Sequence, residues 1–174
     1  MKINRNIHLT YLKKDDLRPA LSYAYFFKKY VYITDSYILL RINKRDFFEG
    51  YFSMDMLDNL TNRMIKISDL KFLRGKEFKI KDKNFILNDS ILVKSYYYNK
   101  MDYKLKEEAF ERIFKEKESL TGNFEYSKAM IRAMNLFQSN RFQIENLGSK
   151  TMITHQPLNG IEEVKILVMN KYVG

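Results

Sequence analysis

The 174-residue chain has no cysteine and no tryptophan, and only six glycines, two prolines and two histidines. Without cysteine there is no disulfide framework, no thiolate metal site and no cysteine nucleophile, a usage that fits a reducing compartment. The glycines fall into no G-x-x-x-x-G-K or G-x-G-x-x-G arrangement, so no phosphate cradle of a nucleotide-hydrolysing enzyme is indicated. His8 and His155 stand in or beside strand-like stretches, with no close carboxylate pair. They read as structural or surface residues, not as metal ligands or a general base. No apolar run nears the roughly 20 residues that span a bilayer, and Met1 to Ile7 turns polar before a signal-peptide core can form. The expectation is a cytoplasmic, non-catalytic protein with no cofactor and no membrane partner.

What is present is a folding composition: 45% hydrophobic and 15% aromatic residues. The length suits one domain, 1–174, that buries its own core, and no repeat or Pro/Gly/Ser linker divides it. The 31 Lys and Arg against 21 Asp and Glu leave a net charge of +10. Clustered, that surplus attracts polyanions, nucleic acid first; dispersed, it is a solvated coat of the kind an AT-biased genome writes. The lysines are spread along the chain, so charge alone leaves both readings standing.

Two periodicities alternate along the sequence. Ile7 to Tyr11 reads as a strand, and Asp15 or Asp16 is placed to cap a brief helix with Pro19 in its first turn. Ala24 to Phe27 and Tyr30 to Thr34 predict paired strands around Lys28-Lys29, with a third at Tyr37 to Ile42. Ser53 to Met64 predicts an amphipathic helix, since Met56, Leu60 and Met64 recur four apart. The stretches 76–81 and 84–98 alternate around Lys81-Asp-Lys-Asn84 and Asn88-Asp-Ser90, which predicts an antiparallel meander. Leu105 to Lys117 reads as a half-exposed helix, with Phe110 above Phe114 and charge pairs Glu108–Arg112 and Glu111–Lys115. Phe124 opens a further helical stripe of Tyr126, Met130, Met134 and Phe137. Strands at Arg141 to Asn146, Thr151 to Thr154 and Val164 to Val168 follow, divided by turns at 147–149 and 157–160. The sum is α+β: an antiparallel sheet with three or four interspersed helices.

Chemistry-bearing patterns are few. Asp15-Asp16, Asp55/Asp58 and Glu107-Glu108 sit at helix starts or on polar helix faces, where dipole and solvation account for them. Tyr96-Tyr97-Tyr98 near Lys94 and Lys100, and Tyr23, Tyr25, Phe26 and Phe27 near Lys28 and Lys29, have the composition of base-stacking platforms. Alternate strand aromatics must nevertheless face a core, so sheet packing is the preferred reading.

One pattern goes beyond composition. Asp16-Leu-Arg-Pro-Ala-Leu21, followed by Tyr30-Val-Tyr-Ile-Thr-Asp-Ser-Tyr-Ile-Leu-Leu40, resembles the strand, helix and hairpin of a bacterial DNA polymerase sliding-clamp (beta-clamp) module. In that family a short "L-x-P-A-L" helix precedes a hairpin ending in "A-T-D-G-H-R-L". Thr34-Asp35 and Leu39 keep that register here, without the Gly-His-Arg. Phe124 to Met134 is similar to the clamp's second helix, and Phe142 to Ile144, Met152 to Thr154 and Val164 to Met169 resemble its closing strands. The family's terminal "M-P-x-R-L" becomes Met169-Asn-Lys-Tyr-Val173, which lacks the proline and arginine of a partner-binding tail. The resemblance spans about the first 42 and last 50 residues; the segment 47–123 is poorly matched.

The resemblance implies a curved antiparallel sheet carrying two packed, DNA-facing helices, with one or two more helices in the middle insertion. Phosphate contacts would then come from Lys13, Lys14 and Arg18 on the first helix and Lys128, Arg132 and Arg141 on or after the second. Such contacts to duplex DNA are sequence-independent and salt-sensitive; Pro19 and Thr34-Asp35 would be structural. The resulting expectation is a clamp-like DNA-associated protein, a replication accessory of a phage or mobile element. One module encircles nothing alone, so a ring would require a homo-oligomer joined through sheet edges. The alternatives are a clamp-fold interaction or inhibitory module with a protein partner, and a basic enzyme of nucleic-acid metabolism.

Overall fold

A computed structural model of the chain describes residues 19–35, 37–44, 58–67, 78–81, 84–87, 91–97, 106–116, 123–125, 128–134, 142–155 and 164–173. The expected strand at Ile7 to Tyr11, the caps Asp15 and Asp16, and the turn at 157–160 lie outside those residues.

Pro19–Ser22 opens the described chain as a single 3₁₀ turn, in keeping with proline's fitness for a first helical position. Then come β1 (Tyr23–Phe26), β2 (Tyr30–Thr34) and β3 (Ile38–Asn43), joined where the sequence places turns. Tyr25 faces Tyr32, and Tyr32 faces Arg41, across this antiparallel meander. The Tyr25 hydroxyl donates to the Ala20 carbonyl at 3.0 Å and ties the 3₁₀ turn to the sheet. At the β2–β3 corner the buried Asp35 accepts from the Tyr37 and Ile38 N–H groups through Oδ1, at 3.0 and 2.9 Å. Thr34-Asp35 therefore makes a turn that the side chain itself closes.

β4 (Arg63–Lys66) pairs with the outer side of β1, and β5 (Phe78–Lys81), β6 (Asn84–Leu87) and β7 (Ile91–Tyr97) continue from it. Beyond β3 lie β11 (Val164–Met169), β10 (Lys150–His155) and β9 (Gln143–Asn146). The order is β5-β6-β7-β4-β1-β2-β3-β11-β10-β9, with antiparallel neighbours throughout. The segment that the sequence set apart as an insertion thus adds four strands to the same sheet. That sheet is not strongly curved, which corrects the arc implied by the resemblance. The α+β class holds, with two α-helices among the described residues: α1 (Glu107–Lys115) and α2 (Lys128–Met134). A two-stranded ribbon of β8 (Asn123–Glu125) and β12 (Lys171–Val173) completes them.

Two predicted helices are corrected. Met64 does not continue a helix from Met56: it lies in β4 opposite Tyr25. Asn62, at φ 60°, ends the preceding helical turn in the left-handed region that asparagine tolerates, and its N–H donates to the Phe26 carbonyl at 2.8 Å. Asp58 and Asn59 are helical and 53–57 lie outside the described residues, so the expected helix is corrected at its end, where the buried Met64 belongs to the strand. Phe124 likewise sits in β8, opposite Tyr172, and the helix begins only at Lys128. There the pairing partner comes from the far end of the chain, which periodicity cannot see.

Strand alternation sorts the two faces. Ala24, Phe26, Val31, Ile33, Leu40, Ile42, Ile65, Ile153, Ile166 and Val168, nearly all aliphatic, are buried on one parity. The opposite parity gathers Tyr23, Tyr25, Phe27, Tyr32, Leu39, Met64 and Leu167 with Phe110 and Phe114 of α1 in a single cluster. α2 packs against β11, with Ala129, Met130 and Ala133 buried. Burying two phenylalanines contributes roughly 1.5–3 kcal/mol each, which is what holds α1 to the sheet.

Candidate functional site

Among the six candidate DNA contacts, Lys13, Lys14, Arg18 and Arg141 lie outside the described residues. Lys128 and Arg132 share α2, and Lys128 is exposed at its first position. The structure therefore places one exposed candidate cation on the helix face opposite Ala129, Met130 and Ala133.

The platform Tyr23, Tyr25, Phe26 and Phe27 is buried, as sheet packing requires. Tyr96 and Tyr97 belong to β7. What the sheet does assemble is a polar row across five strands. Register aligns Tyr32 with Arg41, Arg41 with Lys165, Lys165 with Thr154, and Thr154 with Gln143. The row runs from the buried Tyr32, beneath α1, to the exposed Gln143 on the last strand.

Helix α1 closes the inner end of that row. Phe110 stacks on Tyr32 with ring centroids 4.8 Å apart and planes 12° from parallel, and touches Tyr25 and Phe27 obliquely at 5.3 and 6.2 Å. One residue on, Glu111 receives the Tyr32 hydroxyl on Oε1 and Arg41 Nη1 on both oxygens, at 3.0 and 3.1 Å. The Arg41 guanidinium lies 4.6 Å from the Tyr30 ring centroid and 5.4 Å from that of Phe114, while Lys29 Nζ stands 5.2 Å from the Tyr30 centroid. Lys150, buried, donates to the Ile113 carbonyl in the helix's last turn at 3.2 Å, where a cation suits the dipole. Of the expected charge pairs of α1, Arg112 meets Glu116 at 3.3 Å, and Glu111 turns to the sheet while Lys115 still acts on it to lower its carboxyl.

The electrostatics follow from this geometry. Burial alone would raise the Glu111 carboxyl, but the Tyr32 hydroxyl and Arg41 outweigh it and hold the group below its ordinary range. Burial first, and then the bond to Glu111, push the Tyr32 phenol far above its usual value, so it stays a donor. Glu107 is raised by burial and by its neighbours Glu111 and Glu108. Lys165 is lowered by burial and by Arg41, against the pull of Glu111 and Glu145. Glu111 is thus an internal anion engaged by two donors, the Tyr32 hydroxyl and Arg41, and is poorly placed as a base. Among the described residues no group of three or more His, Asp or Glu gathers as a metal would need, and no helix is long and apolar enough to cross a membrane.

Sequence reasoning passed over Tyr32, Arg41 and Lys165, and gave Glu111 only a partner within its own helix, Lys115. A signal existed in Ile38-Leu-Leu-Arg-Ile42, where one arginine interrupts an apolar strand and must find a partner. The partner's identity came from a helix some seventy residues away. No protein-family model, curated protein or solved structure matches this chain.

Proposed function

We propose that the protein is a non-catalytic, clamp-like, DNA-associated protein that binds duplex DNA without sequence specificity. The observation that carries this reading is the exposed Lys128 on α2, which is packed by its small-residue face on an antiparallel sheet, in a chain of net charge +10. A solvent-facing helix on a sheet presents cations to phosphates and leaves base edges unread. The clamp relationship draws its support from order: 3₁₀ turn, β2–β3 hairpin with its Thr34-Asp35 corner, α2, then β9 to β11. Lys13, Lys14, Arg18 and Arg141 belong to the same proposed contact set, in a replication accessory of phage or mobile-element type.

The test is a gel-shift titration against salt. The expected log-log slope is negative, and the double variant Lys128→Glu/Arg132→Glu flattens it by about 2, one for each lost phosphate contact. Undetectable duplex affinity at low salt would sink the proposal. A second reading, a protein-interaction module, is favoured by Tyr37, Ile131, Ile144 and Met169, large apolar side chains that stand exposed. Tyr37 and Met169 adjoin, since the Met169 N–H donates to the Tyr37 carbonyl at 2.8 Å. That reading gains if duplex binding is absent while the fold is intact.

A further inference from the structure

We propose that α1 is an autoinhibitory strap seated on a binding shelf for single-stranded nucleic acid. The shelf is made by Tyr30 and Tyr32 with Arg41 at its centre, and Phe110-Glu111 occupies it as a stand-in for one nucleotide. A nucleotide offers a flat ring and an adjacent anion. Phe110 supplies the ring, near-parallel on Tyr32 at 4.8 Å. Glu111 supplies the anion, received by the Tyr32 hydroxyl and Arg41. Aromatic stacking beside a basic group is how unpaired bases are held without sequence preference, and the net charge of +10 favours a polyanion over other ring-bearing ligands.

The strap does not hold its shape by itself. It has nine residues, short of the roughly 12–15 at which an isolated helix becomes marginally stable. Its N-cap, Lys106, makes no side-chain capping bond. The helix therefore depends on the shelf it covers.

The experiment is fluorescence anisotropy with a fluorescein-labelled oligothymidylate and a duplex of equal length, using the full chain. Opening the shelf with Phe110→Ala/Glu111→Gln is expected to tighten oligothymidylate binding at least about tenfold, the worth of one stacked base. Duplex affinity should stay unchanged. Adding Arg41→Gln to the opened variant is expected to remove the gain. Single-strand affinity within twofold of the wild type, in a variant whose circular dichroism shows it folded, overturns the proposal. So does binding of a peptide copying residues 107–115 without binding of the oligonucleotide. If the opened variant does not fold, hydrogen exchange on the wild type decides. Saturating oligothymidylate should accelerate exchange of the Phe110 to Phe114 amides, and unchanged or slower exchange overturns the strap. Because this readout ignores α2, it fails or succeeds separately from duplex binding through Lys128 and Arg132.

Discussion

Asp35 shows how much a single side chain can decide. Its Oδ1 closes the β2–β3 corner on two backbone N–H groups, so Asp35→Ala is expected to cost about 1–3 kcal/mol, the loss of two hydrogen bonds. Asp35→Asn, which keeps an acceptor, should cost clearly less; equal urea midpoints for the two variants would refute that account. Glu111 makes a second, pH-dependent case. Its folded carboxyl lies below the unfolded value, so the stability it contributes is present above the unfolded pKa of about 4.3 and is lost as pH falls through the folded value. Glu111→Gln should therefore destabilise at pH 7, by about 1–3 kcal/mol, because a pair with side chains 11% and 24% exposed falls short of a fully buried one. The deficit should shrink in thermal melts taken toward pH 3. Glu107 has the opposite sign: raised in the fold, it weighs against stability above its folded pKa, so Glu107→Gln is expected to raise the melting temperature at pH 7.

At the scale of elements, α1 and the β9–β10 turn are the exposed tests. α1 is anchored by Phe110 and Phe114, both buried. Phe110→Ala is expected to remove about 3–5 kcal/mol in equilibrium denaturation, together with helical signal in the far-ultraviolet. A loss under 1 kcal/mol would show that the helix is not part of the core. In the β9–β10 turn Gly148 holds φ at 84°, and its N–H donates to Asn146 Oδ1 at 3.0 Å. A side chain there meets the left-handed penalty, so Gly148→Val should destabilise by about 1–2 kcal/mol. Asn170 doubles the restraint, accepting from the Thr151 hydroxyl at 2.8 Å and donating to the Gly148 carbonyl at 2.7 Å.

For the whole molecule the property to measure is assembly. β9 is the last strand of the sheet in the described residues, and Ile144 is exposed upon it. A ring around DNA requires such edges to join between copies. Light scattering at low and high salt should return a multiple of the chain mass if a ring forms; a monomer at all concentrations excludes a homomeric ring and leaves the proposed DNA binding to the face carrying α2.

The local features were legible because they have local causes. Lys28-Lys29 and Leu147-Gly148-Ser149 mark turns between β-rich runs, and the strands appear on either side of them. Phe110 and Phe114, one turn apart, announced α1. Burial pattern, by contrast, does not name its cause. Leu60 and Met64 satisfied a helical spacing, yet a left-handed Asn62 and the free side of β1 made Met64 part of a strand. Phe124 became strand because β12 met it from the other end of the chain. The seam of Tyr32, Arg41, Glu111 and Lys165 is the same case at the level of chemistry. Each residue is ordinary where it stands in the sequence. Only the register of β2, β3 and β11 and the seating of α1 bring their charges within reach of one another, because electrostatic partnership depends on distance in space and not on spacing along the chain.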